Sequence, residues 1–144
     1  KKVGGYYMVF DSLSELKAYV ERAMETSAKR SAEEMLEIMR EEITDAYGSY
    51  SPKVYDRTGE LENTPQIIVA DQSGMTTEFM DNGNWYSLVG KTAGQHFFAL
   101  EGLEAGTSWG RGATNIYELS KTRCYAMIPD YYIRCMRALG IPIE

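Results

Sequence analysis

From Tyr6 to Tyr47 the chain carries neither proline nor glycine, and this uninterrupted run limits the fold more than any other feature. Those two residues are the ones that most readily stop a helix, so their absence allows a single helix of about 35 residues, roughly 52 Å at 1.5 Å per residue. Ser12 followed by Glu15 has the spacing of a capping box, which predicts a helix starting near Leu13. Such a helix is far longer than the usual 8 to 20 residues and implies either an extended arm or a break at mid-length.

Leu13, Leu16, Val20, Met24, Ala28, Ser31, Met35, Ile38, Met39 and Ala46 keep within one arc at 100° per residue, so one face is built to be covered. The stripe thins between Thr26 and Ala32, where the small residues favour close approach of another backbone over a kink, because nothing there breaks a backbone hydrogen bond. Glu33, Glu37, Glu41 and Asp45 form an i, i+4 row of like charge near the helix C-terminus, where the macrodipole already disfavours anions. A solvated face explains such a row; so does a surface that meets a basic partner or lines an acidic channel.

Beyond Gly48, the stretch "YSPKVYDRTGEL" from Tyr50 to Leu61 reads as a joint. Pro52 fixes an extended path, Thr58 and Gly59 permit a turn, and Leu61 returns the chain to the core. Lys53, Tyr55 and Arg57 are then available to contact a neighbour, or to pack as an ordinary connector. "PQIIVADQSGMTTEFMD" predicts an antiparallel hairpin around Gln72, Ser73 and Gly74, and Asp81 to Tyr86 predicts a further turn. "TNIYELSKTRCYAMI" is ambiguous between strand and helix. Pro129 at a first helical turn, with Gly140 and Pro142 as a stop, predicts a C-terminal helix from about Pro129 to Leu139. "GYYMVF", from Gly5 to Phe10, suits an edge strand or a strap on the core. The order of elements indicates an α+β fold over a single domain, residues 1–144: a long N-terminal helix packed on a small antiparallel sheet, with a short C-terminal helix.

Composition narrows the function. With 44% hydrophobic and 25% charged residues the chain has globular composition, and a net charge of −6 repels nucleic acid phosphates and anionic membranes. No apolar run reaches the 18 or so residues of a membrane span, so a soluble protein is expected. Cys124 and Cys135 lack the companions of a zinc site and read as free thiols, with a disulfide between them left open. His96 has no nucleophile at a catalytic spacing, and pairing with Cys124 or Cys135 would need tertiary proximity. The glycine-rich "GLEAGTSWGRG", Gly102 to Gly112, lacks the lysine and hydroxyl of a phosphate loop. No catalytic, cofactor or metal residues are therefore expected.

Three segments carry a family resemblance. "YSPKVYDRTGEL" directly after a long helix, "LEAGT" at Leu103 to Thr107, and the final "IPDYYIRCMRALGI" resemble, in order, the small neck and tail-completion proteins of tailed bacteriophages, the minor tail component type. Glu60 stands where that family usually has a basic residue. The resemblance implies a non-enzymatic virion part whose copies join as a ring at the head–tail junction or the tail end. Its partners would be other virion proteins and copies of itself, with no sequence-specific nucleic acid, membrane or cofactor. Its location would be the virion, and the host bacterial cytoplasm during assembly. The alternatives are a protein-interaction module of a non-phage system and an enzyme with an unrecognised site.

Overall fold

The structure, a computed structural model, describes residues 8–48, 60–86, 91, 94–96, 98, 100 and 115–144. Its first element, α1, spans Leu13–Gly48 as one unbroken helix of 36 residues. The Glu15 amide donates to Ser12 Oγ at 3.1 Å, as the capping box requires. The Glu15 carboxylate reaches one residue further back than the motif describes and accepts from the Asp11 amide at 2.9 Å.

A 3-10 turn at Glu60–Asn63 follows, then strands β1 (Pro65–Asp71) and β2 (Gly74–Phe79), then helix α2 (Ile116–Ala138). The fold is α+β. Strands β1 and β2 form an antiparallel hairpin that lies on α1. Its two-residue turn is held by Asp71 Oδ1, which accepts from the Ser73 amide at 2.7 Å and from the Ser73 hydroxyl at 2.5 Å. Those bonds, the hydroxyl first, hold the Asp71 carboxyl below the usual carboxylate range. The predicted turn at Asp81 to Tyr86 is built the same way, with Asp81 and Asn82 side chains accepting from the amides two residues on.

Helix α2 starts earlier than the sequence suggested. It begins at Ile116 and not at Pro129, and it runs 23 residues with Pro129 inside it. The proline cannot donate to the carbonyl of Tyr125, but both residues sit on the exposed face, where water can take that carbonyl. The predicted stop is present as a Schellman motif. Gly140 has φ 85°, its amide donates to the Arg137 carbonyl at 3.0 Å, and the Ile141 amide donates to the Met136 carbonyl at 3.1 Å.

Two cross-contacts make α1 and α2 antiparallel. The Tyr19 hydroxyl donates to the Leu139 carbonyl, and Arg123 donates to Glu41 and Glu42. That register sets the small-residue waist of α1 opposite the stretch of α2 from Ile128 to Met136. Ser27, Ala28, Ser31 and Ala32 are wholly buried there, and α2 contributes buried Ile128, Cys135 and Met136. Close approach, and not a kink, is what the waist provides. The hydroxyls of Ser27 and Ser31 have no hydrogen-bond partner among the described residues, so their size is what the packing uses.

The main apolar cluster lies at the C-terminal end of α1. Ile43, Ala46, Leu61, Leu100 and Ile116 are buried together, flanked by Phe79, Trp85, Phe98 and Tyr117. Leu61 thus returns the chain to the core as expected, and Phe79 meets Tyr117 edge-on with centroids 5.2 Å apart.

At the other end the stripe fails. Leu13 is 84% exposed and Leu16 is also exposed, although both fall on the apolar arc. The reason is length: α2 ends against Tyr19, so the first turns of α1 overhang it. The described part of "GYYMVF", residues 8–10, is a strap rather than a strand. Phe10 packs on Tyr19 with centroids 5.3 Å apart, and Met8 lies where a Cβ on Gly140 would go.

Two stability outcomes are expected in urea unfolding. Ser31→Ala should be neutral or stabilising, because it removes a buried unsatisfied hydroxyl, whereas Ser31→Leu should cost about 1–3 kcal/mol by overpacking. Gly140→Ala should cost about 1 kcal/mol, since a side chain is strained at that φ and displaces Met8.

Candidate functional site

No described feature gathers catalytic groups, so the surfaces that could meet another molecule have to be assembled from side chains. Arg123 makes a polar contact between the two helices. Its guanidinium reaches from α2 to α1, with Nη1 2.8 Å from Glu42 Oε1 and Nη2 2.5 Å from Glu41 Oε2. The Glu42 side chain is only 9% exposed, while Glu41 is solvated. Hydrogen bonds from Arg123 to Glu41 and then Glu42 push the guanidinium still further toward its charged form. An arginine fork spanning two carboxylates fixes both the distance and the rotation of the two helices.

This clamp changes how the acidic row acts. Glu33, Glu37, Glu41 and Asp45 are all exposed, as an i, i+4 row requires. Yet Glu37 is paired with Arg40 at 2.6 Å and Glu41 with Arg123, so cations interrupt the row. Lys53, Tyr55 and Arg57 lie outside the described residues, as do Pro52, Thr58, Gly59 and the "LEAGT" and "GLEAGTSWGRG" segments.

Beside the row is an open groove of about 590 Å³ between the hairpin and α2. Arg30, Glu33, Glu34, Leu36, Glu37 and Arg40 of α1 form its floor, so it is mostly charged, with Ile67 on one wall and Tyr131 on the other. Burial pushes the Tyr131 phenol up, and Arg134 stands 5.6 Å over its ring, so the tyrosine stays a neutral, oriented wall.

Strand β1 reaches this groove at Ile67 and carries three exposed apolar residues, Ile67, Ile68 and Val69. Ile67 and Val69 face Thr77 and Thr76 in the ladder, and Ile68 is the extra residue of a bulge between them. The bulge breaks the in-and-out alternation, leaving Ile67, Ile68 and Val69 all exposed. Met8, Val9, Leu13 and Leu16 make a second exposed apolar group at the overhanging start of α1.

His96 Nε2 lies 3.1 Å from Asp81 Oδ2, and its ring meets Tyr86 edge-on across an isolated antiparallel bridge. Cys124 is half-buried, and burial pushes its thiol up, which disfavours the thiolate a nucleophile needs. Cys124 and Cys135 are both free thiols on α2, eleven residues apart along one helix. That separation, about 16 Å, is too great for a disulfide, which closes the option the sequence left open. Among the described residues no three His, Cys, Asp or Glu side chains group as metal ligands, and no helix is long and apolar enough to cross a membrane.

Sequence reasoning missed Glu42, Arg123 and the outward apolar run of β1. Glu42 carried a signal, because it falls between Ile38 and Ala46 on the buried arc, where an acid needs a partner. Arg123 did not, since its segment was not assigned to a helix. The bulge that turns Ile68 outward is a backbone event that no side-chain pattern in β1 announces.

The YomN family model matches residues 12–96, more than half of the chain. The chain belongs to this family, a phage-type, prophage-derived one, and the membership hints at a phage origin. No curated protein and no solved structure matches the chain.

Removing Arg123 should test the clamp. Arg123→Ala should lose about 2–3 kcal/mol in urea unfolding, because it strands the buried Glu42 carboxylate. Glu41→Ala should lose less than about 1 kcal/mol, as expected for an exposed ion pair.

Proposed function

We propose that this member of the YomN family is a non-enzymatic structural protein of a phage or prophage virion, joining head to tail or completing the tail by assembling as a ring. The observation that carries the reading is the family match, which extends from the start of α1 through the hairpin. The resemblance of the "YSPKVYDRTGEL", "LEAGT" and "IPDYYIRCMRALGI" segments to neck and tail-completion proteins supplies the particular role.

The physical design supports it. A ring subunit has to hold its shape while it presents two different surfaces to its neighbours. Here a helix of 36 residues is braced along most of its length by α2 and the hairpin. The exposed apolar groups at the helix start and on β1 are the kind of surface that monomers seldom leave uncovered. On this reading the partners are copies of the chain and other virion proteins. Lys53, Tyr55 and Arg57 contact a neighbouring subunit, and the row of Glu33, Glu37, Glu41 and Asp45 faces a lumen or a basic partner. An acidic lumen would let DNA pass without holding it, because phosphate binding needs lysine and arginine.

Electron microscopy of purified particles carrying a tagged copy of this chain tests the role. Label at the head–tail junction or the tail end is expected; particles without label would overturn the proposal.

A further inference from the structure

The hairpin has a free edge. Strand β1 pairs with β2 along one side, and among the described residues its backbone makes no hydrogen bond outside that ladder. Unpaired N–H and C=O groups along a strand are a template for another extended chain. Charged side chains commonly guard such edges, yet β1 carries none from Pro65 to Ala70, and Ile67, Ile68 and Val69 are exposed there. Strand β2 carries Glu78 and two threonines instead.

The open groove lies beside β1. Of the described hairpin residues only Ile67 lines it, and none of β2 does. On its floor the carboxylates of Glu33, Glu34 and Glu37 outnumber the guanidiniums of Arg30 and Arg40. Arg40 is already held by Glu37 at 2.6 Å, whereas Glu33 and Glu34 form no ion pair among the described residues, and Arg30 alone of the floor remains to balance them.

We propose that this groove docks an extended segment of a partner protein, one that alternates basic and apolar residues and adds to β1 as a third strand. Successive side chains of a strand point to opposite faces. One set then meets Glu33 and Glu34 on the floor, and the other lies beside the exposed apolar side chains of β1. A helix would leave the free backbone groups of β1 unused, and an acidic segment would meet an excess of carboxylates. The bulge at Ile68 interrupts regular pairing, so the added strand is short and the contact is of the weak, exchanging kind. The site deepens the reading above in which the acidic row meets a basic partner and rests on it for the charge, while the free edge stands on the ladder alone.

Nuclear magnetic resonance of the full chain titrated with the capped peptide KVKVKVK tests the site. Saturable shifts are expected at the amides of Gln66 to Ala70 and of Glu33 and Glu34. An N-methylated form of the peptide, which cannot donate from either edge, should bind about tenfold more weakly, and the block peptide KKKKVVV likewise. Glu33→Gln with Glu34→Gln should weaken KVKVKVK about fivefold, since each exposed ion pair contributes little, and leave the far-UV circular dichroism unchanged. The proposal is overturned if no saturable shifts occur, if they fall away from β1, if either control peptide binds as well as KVKVKVK, or if the double variant binds it unchanged. A peptide that fails to bind removes this site only; the particle label decides the virion reading separately.

Discussion

A helix of 36 residues cannot bury its apolar face by itself, and the way α2 covers it determines everything else in this molecule. Arg123 sets the arrangement at one end by bridging to Glu41 and the buried Glu42; Tyr19 sets it at the other by donating to the Leu139 carbonyl. Between them the small side chains of Ser27, Ala28, Ser31 and Ala32 let the helices come close enough for Ile128, Cys135 and Met136 to be buried. The small waist contributes packing, and the arginine contributes register. A helix pair joined by apolar contact alone could slide by a turn; a buried carboxylate that has to find its guanidinium cannot.

Because α2 is thirteen residues shorter than α1, the pair has unequal ends. At the C-terminal end of α1 the surplus is covered by Leu61, Leu100 and the aromatic group around Phe79 and Tyr117. At the N-terminal end it is covered only as far as Tyr19 and the Phe10 strap, and Leu13 and Leu16 stand beyond. The bulge in β1 produces a second uncovered surface by a different route, turning Ile68 outward beside Ile67 and Val69. Both surfaces follow from the fold: one from mismatched helix lengths, the other from one extra residue in a ladder.

Much of this was legible in the sequence. The capping box of Ser12 and Glu15, the absence of helix breakers up to Gly48, the Gln72–Ser73 turn and the Gly140 stop are local signals, and local signals decide where elements start and end. What escaped was non-local. Pro129 read as a beginning because its cost inside a helix depends on whether Tyr125 faces water, which only the packing decides. Leu13 and Leu16 read as core because periodicity shows which face is apolar and not whether a partner extends far enough to cover it. The acidic row was visible as a pattern, but its pairing with Arg40 and Arg123 depends on one neighbour along the helix and another across it.

The bracing of α1 by α2 begins at Tyr19 and leaves the first turns of α1 outside it. Amide hydrogen exchange in dilute solution measures this boundary. The amides of α1 from Val20 onward should be protected and those of its first two turns should exchange quickly. Equal protection along the whole of α1 would contradict the bracing.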